Sequence, residues 1–256
     1  MRQVVEGQAL PVHVSLSHHT FLEQAAAEEW DRIAYAPGTY DSFIWELEQA
    51  VLLPAVEALR ERVAQPKYLD FACGTGRVLR ALEPYCGQVH GVDVSPVMVR
   101  GASIKAPQAS IRLGDLLVQP YLADFDYDLI TAFRFFLNAE PELRYPYLAD
   151  LASRLRDGQS RLIFNVHANA RGMDGVAARL EPSRVMSPGH VIRLVGKAGL
   201  EVVGWHGIGL MPACRHRLRA LRRPMRGLDR RLASRGWLRP VSRDLLFICR
   251  RRRENG

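Results

Sequence analysis

Apolar residues recur at three- and four-residue spacing through "TFLEQAAAEEWDRIAY" and "DSFIWELEQAVLLPAVEALRERV", which predicts two helices between Phe21 and Val63. "APGTY" separates them as a turn. After Pro66 the pattern changes. "KYLDFA" is a short apolar run that ends at a glycine loop and reads as a buried strand; "GRVLRALEPY" follows as a helix. The alternation then repeats. "QVHGVDVS" is a strand and "PVMVRGASIKA" a helix with Pro96 in its first turn. "ASIRLGDL" and "YDLITAF" are strands, and "ELRYPYLADLASRLRDG" is a helix expected to close at Gly158. "SRLIFNVHA" is a fifth strand, "SPGHVIRLVGKAGL" a helix stopped by Gly199, "EVVGWHGIG" a sixth strand and "RDLLFICR" a seventh. Strands alternating with helices of about 10–15 residues imply crossover units and a parallel sheet covered on both faces.

Composition adds bounds. The 256 residues, 48% of them hydrophobic, suffice for one large domain or a domain with a small appendage. No apolar run is long enough to span a membrane, and the N-terminal stretch does not read as a secretory signal. The cysteines (Cys73, Cys86, Cys214, Cys249) are widely spaced and suggest neither a zinc site nor a disulfide framework, so a reducing cytoplasm is the expected compartment. The net charge of +8 is uneven: residues 214–256 carry 15 Arg against 3 acidic residues, and the remainder of the chain is slightly acidic. The expected division is a helical cap over residues 1–64, a core over 65–210, a basic helical insert over 211–243, and a last strand with an Arg-rich tail over 244–256.

"DFACGTGR" is the first candidate for chemistry. A strand feeding a glycine turn and then a helix brings backbone N–H groups and a helix N-terminus beside a ligand, and Gly74 and Gly76 permit close backbone approach. An ordinary tight turn would have the same local pattern. The next strand distinguishes the two, because "GVDVS" places Asp93 19 residues after Gly74, where an acid suits a pair of ribose hydroxyls. "LGDL" offers Asp115 at the end of the third strand, placed to meet an adenine amino group. Asp70, Asp93 and Asp115 thus stand at the carboxyl ends of neighbouring strands, where open α/β sheets bind ligands.

In order and spacing, "YLDFACGTGRVL", "GVDVS", "GDL" and "YDLITAF" resemble the motifs of class I S-adenosylmethionine-dependent methyltransferases, over roughly residues 66–210 plus the final strand. The resemblance implies an α/β fold: a Rossmann-like, doubly wound seven-stranded sheet whose last strand is inserted antiparallel. It implies S-adenosylmethionine as cofactor and S-adenosylhomocysteine as product. On the family pattern, Asp70, Ala72, Gly74 and Gly76 hold the methionine end, Asp93 and its neighbour Val94 the ribose, and Asp115 with Leu116 frames the adenine. Ala72 departs from the usual first glycine; its methyl is tolerable if φ there is negative. A nicotinamide-binding Rossmann domain is the rival, but Leu79 stands where its third glycine would fall.

Methyl transfer asks chiefly for in-line alignment at roughly 3–3.5 Å, and an oxygen nucleophile benefits from a general base. The acceptor pocket is expected over the ends of strands four and five, capped by the N-terminal helices. Phe133, Phe135 and Phe136 either wall that pocket or pack beneath it, and Arg134 and Asn138 are polar groups at its rim. His167, near the end of strand five, is the candidate base, with a hydrogen-bonded structural histidine as the alternative. Asn165 and Asn169 flank it and could orient its ring or bind hydroxyls; Asp174 is a weaker candidate, and His18 and His19 read as surface residues. Tyr35 and Tyr40 are candidates to touch the cofactor from the cap. No Asn-Pro-Pro-Tyr-like motif follows strand four, which argues against adenine-N6 or glutamine methylation, and no carboxylate cluster suggests a metal.

In the insert, Leu218, Leu221, Met225, Leu228 and Leu232 recur at helical spacing, broken by Pro224 and Gly227, so two short helices with outward arginines are expected. This basic face is either solvated or docks something anionic, such as a carrier protein or a phosphorylated or lipid-linked substrate. Trp237 is its one aromatic residue, which argues against nucleic acid. The reading that results is a methyltransferase acting on a small molecule, at oxygen, on a sugar-containing or specialised metabolite. The alternatives are N-methylation of a small molecule, RNA or protein methylation through the insert, and a cofactor-binding protein without catalysis.

Overall fold

A computed structural model describes residues 35–37, 39–119, 126–168, 185–209, 227–228, 231, 242 and 244–252. The expected helix before Tyr35, His18, His19, Asn169, Asp174, the Tyr40 side chain and nearly all of the basic insert lie outside the described residues.

Seven strands form one sheet: β1 (Lys67–Phe71), β2 (Gln88–Asp93), β3 (Ser110–Leu113), β4 (Leu129–Ala132), β5 (Arg161–His167), β6 (Leu200–Ile208) and β7 (Asp244–Arg251). Their order is β3-β2-β1-β4-β5-β7-β6. The pairings among β1 to β5 are parallel, and β7 runs antiparallel between β5 and β6. The strand order reverses between β1 and β4, which is where open α/β sheets open a crevice for a ligand. Helix α1 (Tyr40–Arg60) precedes the sheet. Helices α2 (Arg77–Leu82), α3 (Pro96–Lys105), α4 (Pro141–Ser153) and α5 (Pro188–Lys197) lie along the chain between strands. Among the described residues no helix is long and apolar enough to cross a membrane.

Strand alternation sorts side chains into two cores. Leu162, Phe164 and Val166 of β5 and Leu245 and Phe247 of β7 join the core that includes Leu148 and Leu151 of α4 and Val191 and Val195 of α5. Ile163 of β5 and Leu246 of β7 belong to the opposite core, with Ile44, Leu52 and Val56 of α1 and Val78 and Leu79 of α2. The same period of two carries Asn165, His167 and Asp244 onto the α1 face. They sit at the carboxyl edge of the parallel strands because β7 runs the other way and begins where β5 ends, with His167 opposite Asp244.

Two boundaries differ from the sequence expectation. Helix α4 ends at Ser153 instead of continuing to Gly158, because the Arg154 carbonyl and the Arg156 amide bond to the Tyr127 backbone. The helix after the glycine loop tightens into a 3₁₀ turn over Glu83–Tyr85, where Pro84 removes an N–H donor. Gly199 ends α5 as expected, with a left-handed φ of 73°. Leu228 of the insert is 46% exposed, so this member of the apolar stripe is not packed on the body.

Candidate functional site

The loop between β1 and α2 turns left-handed at three alternating positions: φ is 53° at Ala72, 55° at Gly74 and 82° at Gly76. The expectation of a negative φ at Ala72 is therefore corrected. The loop keeps the glycine conformation there without the glycine, at a cost of about 1 kcal/mol. Its methyl packs against the α4-side core, which offsets part of that strain. At Gly76 a Cβ would come within 2.8 Å of the Ala102 backbone in α3, so this glycine is required by close packing. At Gly74 a Cβ would meet nothing within 4 Å, so the backbone is approachable from that side.

The three acids flank this loop. Asp93, the last residue of β2, accepts from the Gly74 amide at 2.8 Å and from the Ser95 amide at 2.9 Å, and so pins the loop it was expected to serve. Asp115 accepts from the Leu117 amide at 2.9 Å and from the Tyr147 hydroxyl at 2.7 Å. Val94 is half-buried, and Leu116 is buried beside it in sequence to Asp115.

Asp70 is buried in β1. Its Oδ1 accepts from the Thr131 hydroxyl at 2.6 Å, and that hydroxyl also contacts the Tyr68 hydroxyl. Its Oδ2 is buried with no hydrogen-bond partner among the described residues. Burial raises its pKa to about 7, against the lowering effects of the Thr131 bond and the Arg77 charge. A buried acceptor without a donor beneath an approachable glycine loop fits a ligand that brings a cationic donor. Asp70, Gly74, Asp93 and Asp115 together could hold an aminoacyl–nucleoside cofactor.

Beyond this loop, β4, β5, β7 and α1 bring a second group of polar side chains together. After β4 the chain turns over residues 133–138, and Arg134 is the second non-glycine residue with a left-handed backbone, φ 65°. Two asparagines clamp it. The Arg134 amide donates to Asn165 Oδ1 at 2.7 Å, and the Arg134 carbonyl accepts from Asn138 Nδ2 at 2.7 Å. The other end of Asn165 donates to Glu48 Oε1 at 2.7 Å. Glu48 lies on the apolar stripe of α1, four residues from Ile44 and from Leu52, and is 1% exposed. Its Oε2 pairs with Arg77 at 3.2 Å. The Arg77 guanidinium lies 4.5 Å from the Tyr35 ring centre and 4.1 Å from that of Trp45, a cation between two aromatic faces. Glu48 therefore ties α1 at once to the first residue of α2 and to the turn after β4.

His167 is buried at the end of β5, and its Nδ1 pairs with Asp244 Oδ1. Asp244 is thus the described partner of the His167 ring; Asn165 and Asn169 were expected to orient that ring or bind hydroxyls, and Asn169 lies outside the described residues. Asn165 is occupied by Glu48 and the Arg134 amide. Phe135 is buried at the meeting of Phe71, Phe136 and Tyr147, with ring centres 4.7, 5.1 and 4.9 Å away. Phe133 packs edge-on against Trp45 at 6.4 Å. These rings form packing beneath the rim. Tyr35, a candidate to touch the cofactor, lies against the Arg77 guanidinium.

Sequence reasoning missed Glu48, Arg77 and Asp244, and also Asp41, whose Oδ1 lies 3.4 Å from the Arg134 guanidinium. Glu48 could have been found as the one acid in the run Ile44, Glu48, Leu52, Val56. Asp244 could have been found by pairing the first residue of an antiparallel last strand with the last residue of β5. Among the described residues no group of three His, Cys, Asp or Glu is arranged to hold a metal.

Residues 69–158 match the family described as "Methyltransferase domain". An uncharacterized methyltransferase of Schizosaccharomyces pombe is 61% identical over 31 residues, which are 12% of this chain and 11% of that relative's length. The fold resembles magnesium protoporphyrin IX methyltransferase from Synechocystis PCC 6803 with bound SAH: TM-score 0.61, 16% identity, 90% of this chain and 95% of the other. It also resembles an S-adenosylmethionine-dependent methyltransferase from Mesorhizobium loti, with TM-score 0.54 and 17% identity over 80% of this chain and the whole of the other.

Proposed function

We propose that the chain, whose residues 69–158 match the methyltransferase-domain family, is a class I S-adenosylmethionine-dependent methyltransferase and that it methylates a hydroxyl of a small-molecule acceptor. When bound, S-adenosylmethionine supplies the methyl as an electrophilic sulfonium group. Asp70 Oδ2, the buried acceptor without a donor, takes the cofactor's ammonium. The Gly74 amide side admits its methionine end, Asp93 takes the ribose hydroxyls, and Asp115 lies toward the adenine. The tie through Glu48 holds this loop and the acceptor rim at one spacing, which is what in-line transfer requires.

The observation that carries the oxygen assignment is the pair of His167 and Asp244 on the same sheet edge and face as Asp70. With Nδ1–H donating to Asp244, the neutral ring carries its lone pair on Nε2, and no described residue hydrogen-bonds Nε2. His167 Nε2 is then the base that accepts the hydroxyl proton as the acceptor oxygen is aligned. That a relative of the same fold is a magnesium protoporphyrin IX methyltransferase supports a small-molecule acceptor.

The test is incubation with methyl-labelled S-adenosylmethionine over a pool of hydroxylated metabolites and, separately, RNA. Label on an alkali-stable small molecule is expected, and His167→Ala lowers its formation about a hundredfold with S-adenosylhomocysteine affinity unchanged. Full turnover by His167→Ala removes the base. Label on RNA with a steep salt dependence replaces the small-molecule reading, and cofactor binding without turnover on any pool makes the chain a binding protein.

A further inference from the structure

Arg134 holds binding capacity that the interactions described so far leave unused. Its backbone is fixed on both sides, through Asn165 and Asn138, in a left-handed conformation that a non-glycine residue adopts at a cost. Such strain, when surrounding bonds enforce it, aims a side chain. The guanidinium so aimed is poorly bonded. Its Nε is buried with no hydrogen-bond partner among the described residues, and its Nη2 reaches Asp41 Oδ1 at a long 3.4 Å. A buried donor without an acceptor calls for an explanation, because leaving it unmade costs on the order of 1–3 kcal/mol.

The acids near Arg134 divide into two kinds. Glu48 is committed to Arg77 and Asn165, and Asp244 to His167. Asp41 is different. It is 29% exposed, its partner Arg134 26%, so water reaches both. It also stands in the first turn of α1, after the Thr39 cap, where the helix N-terminus stabilises a carboxylate without help from Arg134. Asp41 can therefore turn to solvent at little cost and leave the guanidinium fork open.

We propose that Arg134 is the acceptor's anion-binding residue: it takes an oxyanion of the acceptor, a carboxylate or a phosphate, and Asp41 occupies that position until the acceptor arrives. This rests on the methyl-transfer reading and adds to it a substrate class, an acceptor that carries an acidic group besides the methylated atom. An arginine suits the task because its planar fork meets either oxyanion with two parallel N–H bonds, which a lysine does not. Exchange of Asp41 for the ligand leaves the count of charges on Arg134 unchanged and gives the unpartnered Nε an acceptor.

The test uses the full chain saturated with S-adenosylhomocysteine, with 4-fluorobenzoate, 4-fluorophenyl phosphate and neutral 4-fluorobenzamide as probes in fluorine NMR titrations. Benzoate or phenyl phosphate is expected to bind and benzamide at least tenfold more weakly, a ratio worth about 1.4 kcal/mol. Preference between the two acids tells a carboxylic from a phosphorylated acceptor. Arg134→Gln is expected to weaken the acidic probe about tenfold or more, Arg134→Lys to restore part of that loss, and Asp41→Asn to tighten it about fivefold. Asp41→Asn changes a water-exposed group and keeps the fold, so the proposal stays testable if Arg134 variants misfold. Equal binding of benzamide, or an Asp41→Asn variant that binds the acids no better than wild type, overturns it. The S-adenosylhomocysteine titration separates this from the function: failure there sinks the methyltransferase reading, whereas normal cofactor binding with no probe discrimination sinks the Arg134 assignment alone.

Discussion

Glu48 Oε1 accepts from Asn165 Nδ2 at 2.7 Å, joining the middle of α1 to the third-last residue of β5. Both residues are 1% exposed. The bond sits between the Arg77 ion pair on one side and the Arg134 amide on the other. Glu48→Ala should therefore leave a buried amide and a guanidinium without partners and destabilise the chain by about 3 kcal/mol, measured by urea denaturation. Glu48→Gln keeps an oxygen for Asn165 but turns an amide N–H toward Arg77 in place of the carboxylate oxygen, so about 1–2 kcal/mol is expected. Equal losses for the two variants would show that the Asn165 bond is not part of the tie.

Ala72 separates two contributions that oppose each other. Ala72→Gly relieves a left-handed alanine but adds chain entropy in the unfolded state, so a stabilisation between about zero and 1 kcal/mol is expected. Ala72→Val puts a β-branched residue at a φ of 53° and should cost about 2 kcal/mol or more. Thermal denaturation of the two variants checks both; a tolerated valine would mean that the loop relaxes to a negative φ.

Asp70 gives a prediction for pH. Its pKa is raised by burial to about 7, against about 3.9 for an exposed aspartate. The folded chain then holds its proton longer than the unfolded chain does. This group's contribution is fully present below about pH 4 and is lost as pH rises through about 7, a change on the order of 3–4 kcal/mol. Asp70→Asn should be more stable than wild type at pH 8 and nearly equal to it at pH 4, in urea titrations at the two values. A cationic ligand donor on Oδ2 favours the charged carboxylate, so binding S-adenosylhomocysteine below pH 7 should release protons. Calorimetry in two buffers of different ionisation enthalpy reads that release, and Asp70→Asn should abolish it.

Asp244→Asn removes the carboxylate that orients His167 while keeping its size. If the pair acts as proposed, turnover falls by up to about a hundredfold, as far as it does in His167→Ala and no further, with little change in cofactor affinity. Loss of stability without a selective loss of turnover would assign the pair to packing.

Much of the sheet was legible because its information is local. Period-two alternation marks β5 as half in each core, and glycine with a following helix start marks the loop at residues 72–77. The positions of Asp70, Asp93 and Asp115 at the carboxyl edge were legible for the same reason: each lies within two residues of the end of a recognisable strand. What was not legible depends on pairings distant in sequence. Asn165 reads as a neighbour of His167, yet its partner is Glu48, 117 residues away. His167 finds Asp244 only because β7 enters antiparallel beside β5, 77 residues later in the chain. The aromatic run at 133–136 could not be divided between wall and packing until the Phe71 and Tyr147 rings were placed against Phe135. The φ of Ala72 is set by the same enclosure of the loop, with Gly76 against Ala102 and Gly74 against Asp93, and alanine alone predicts the opposite sign.

The central claim is that the edge formed by Asp70, Gly74, Asp93 and Asp115 holds an S-adenosyl cofactor. Calorimetric titration with S-adenosylhomocysteine, on the wild-type chain and on Asp93→Ala, tests it most directly. The wild type should bind with a stoichiometry of one, and Asp93→Ala, which loses both the ribose contact and the tie to the Gly74 amide at 2.8 Å, should show no measurable binding. No binding to the wild type, or equal affinity in a folded Asp93→Ala variant, would contradict it.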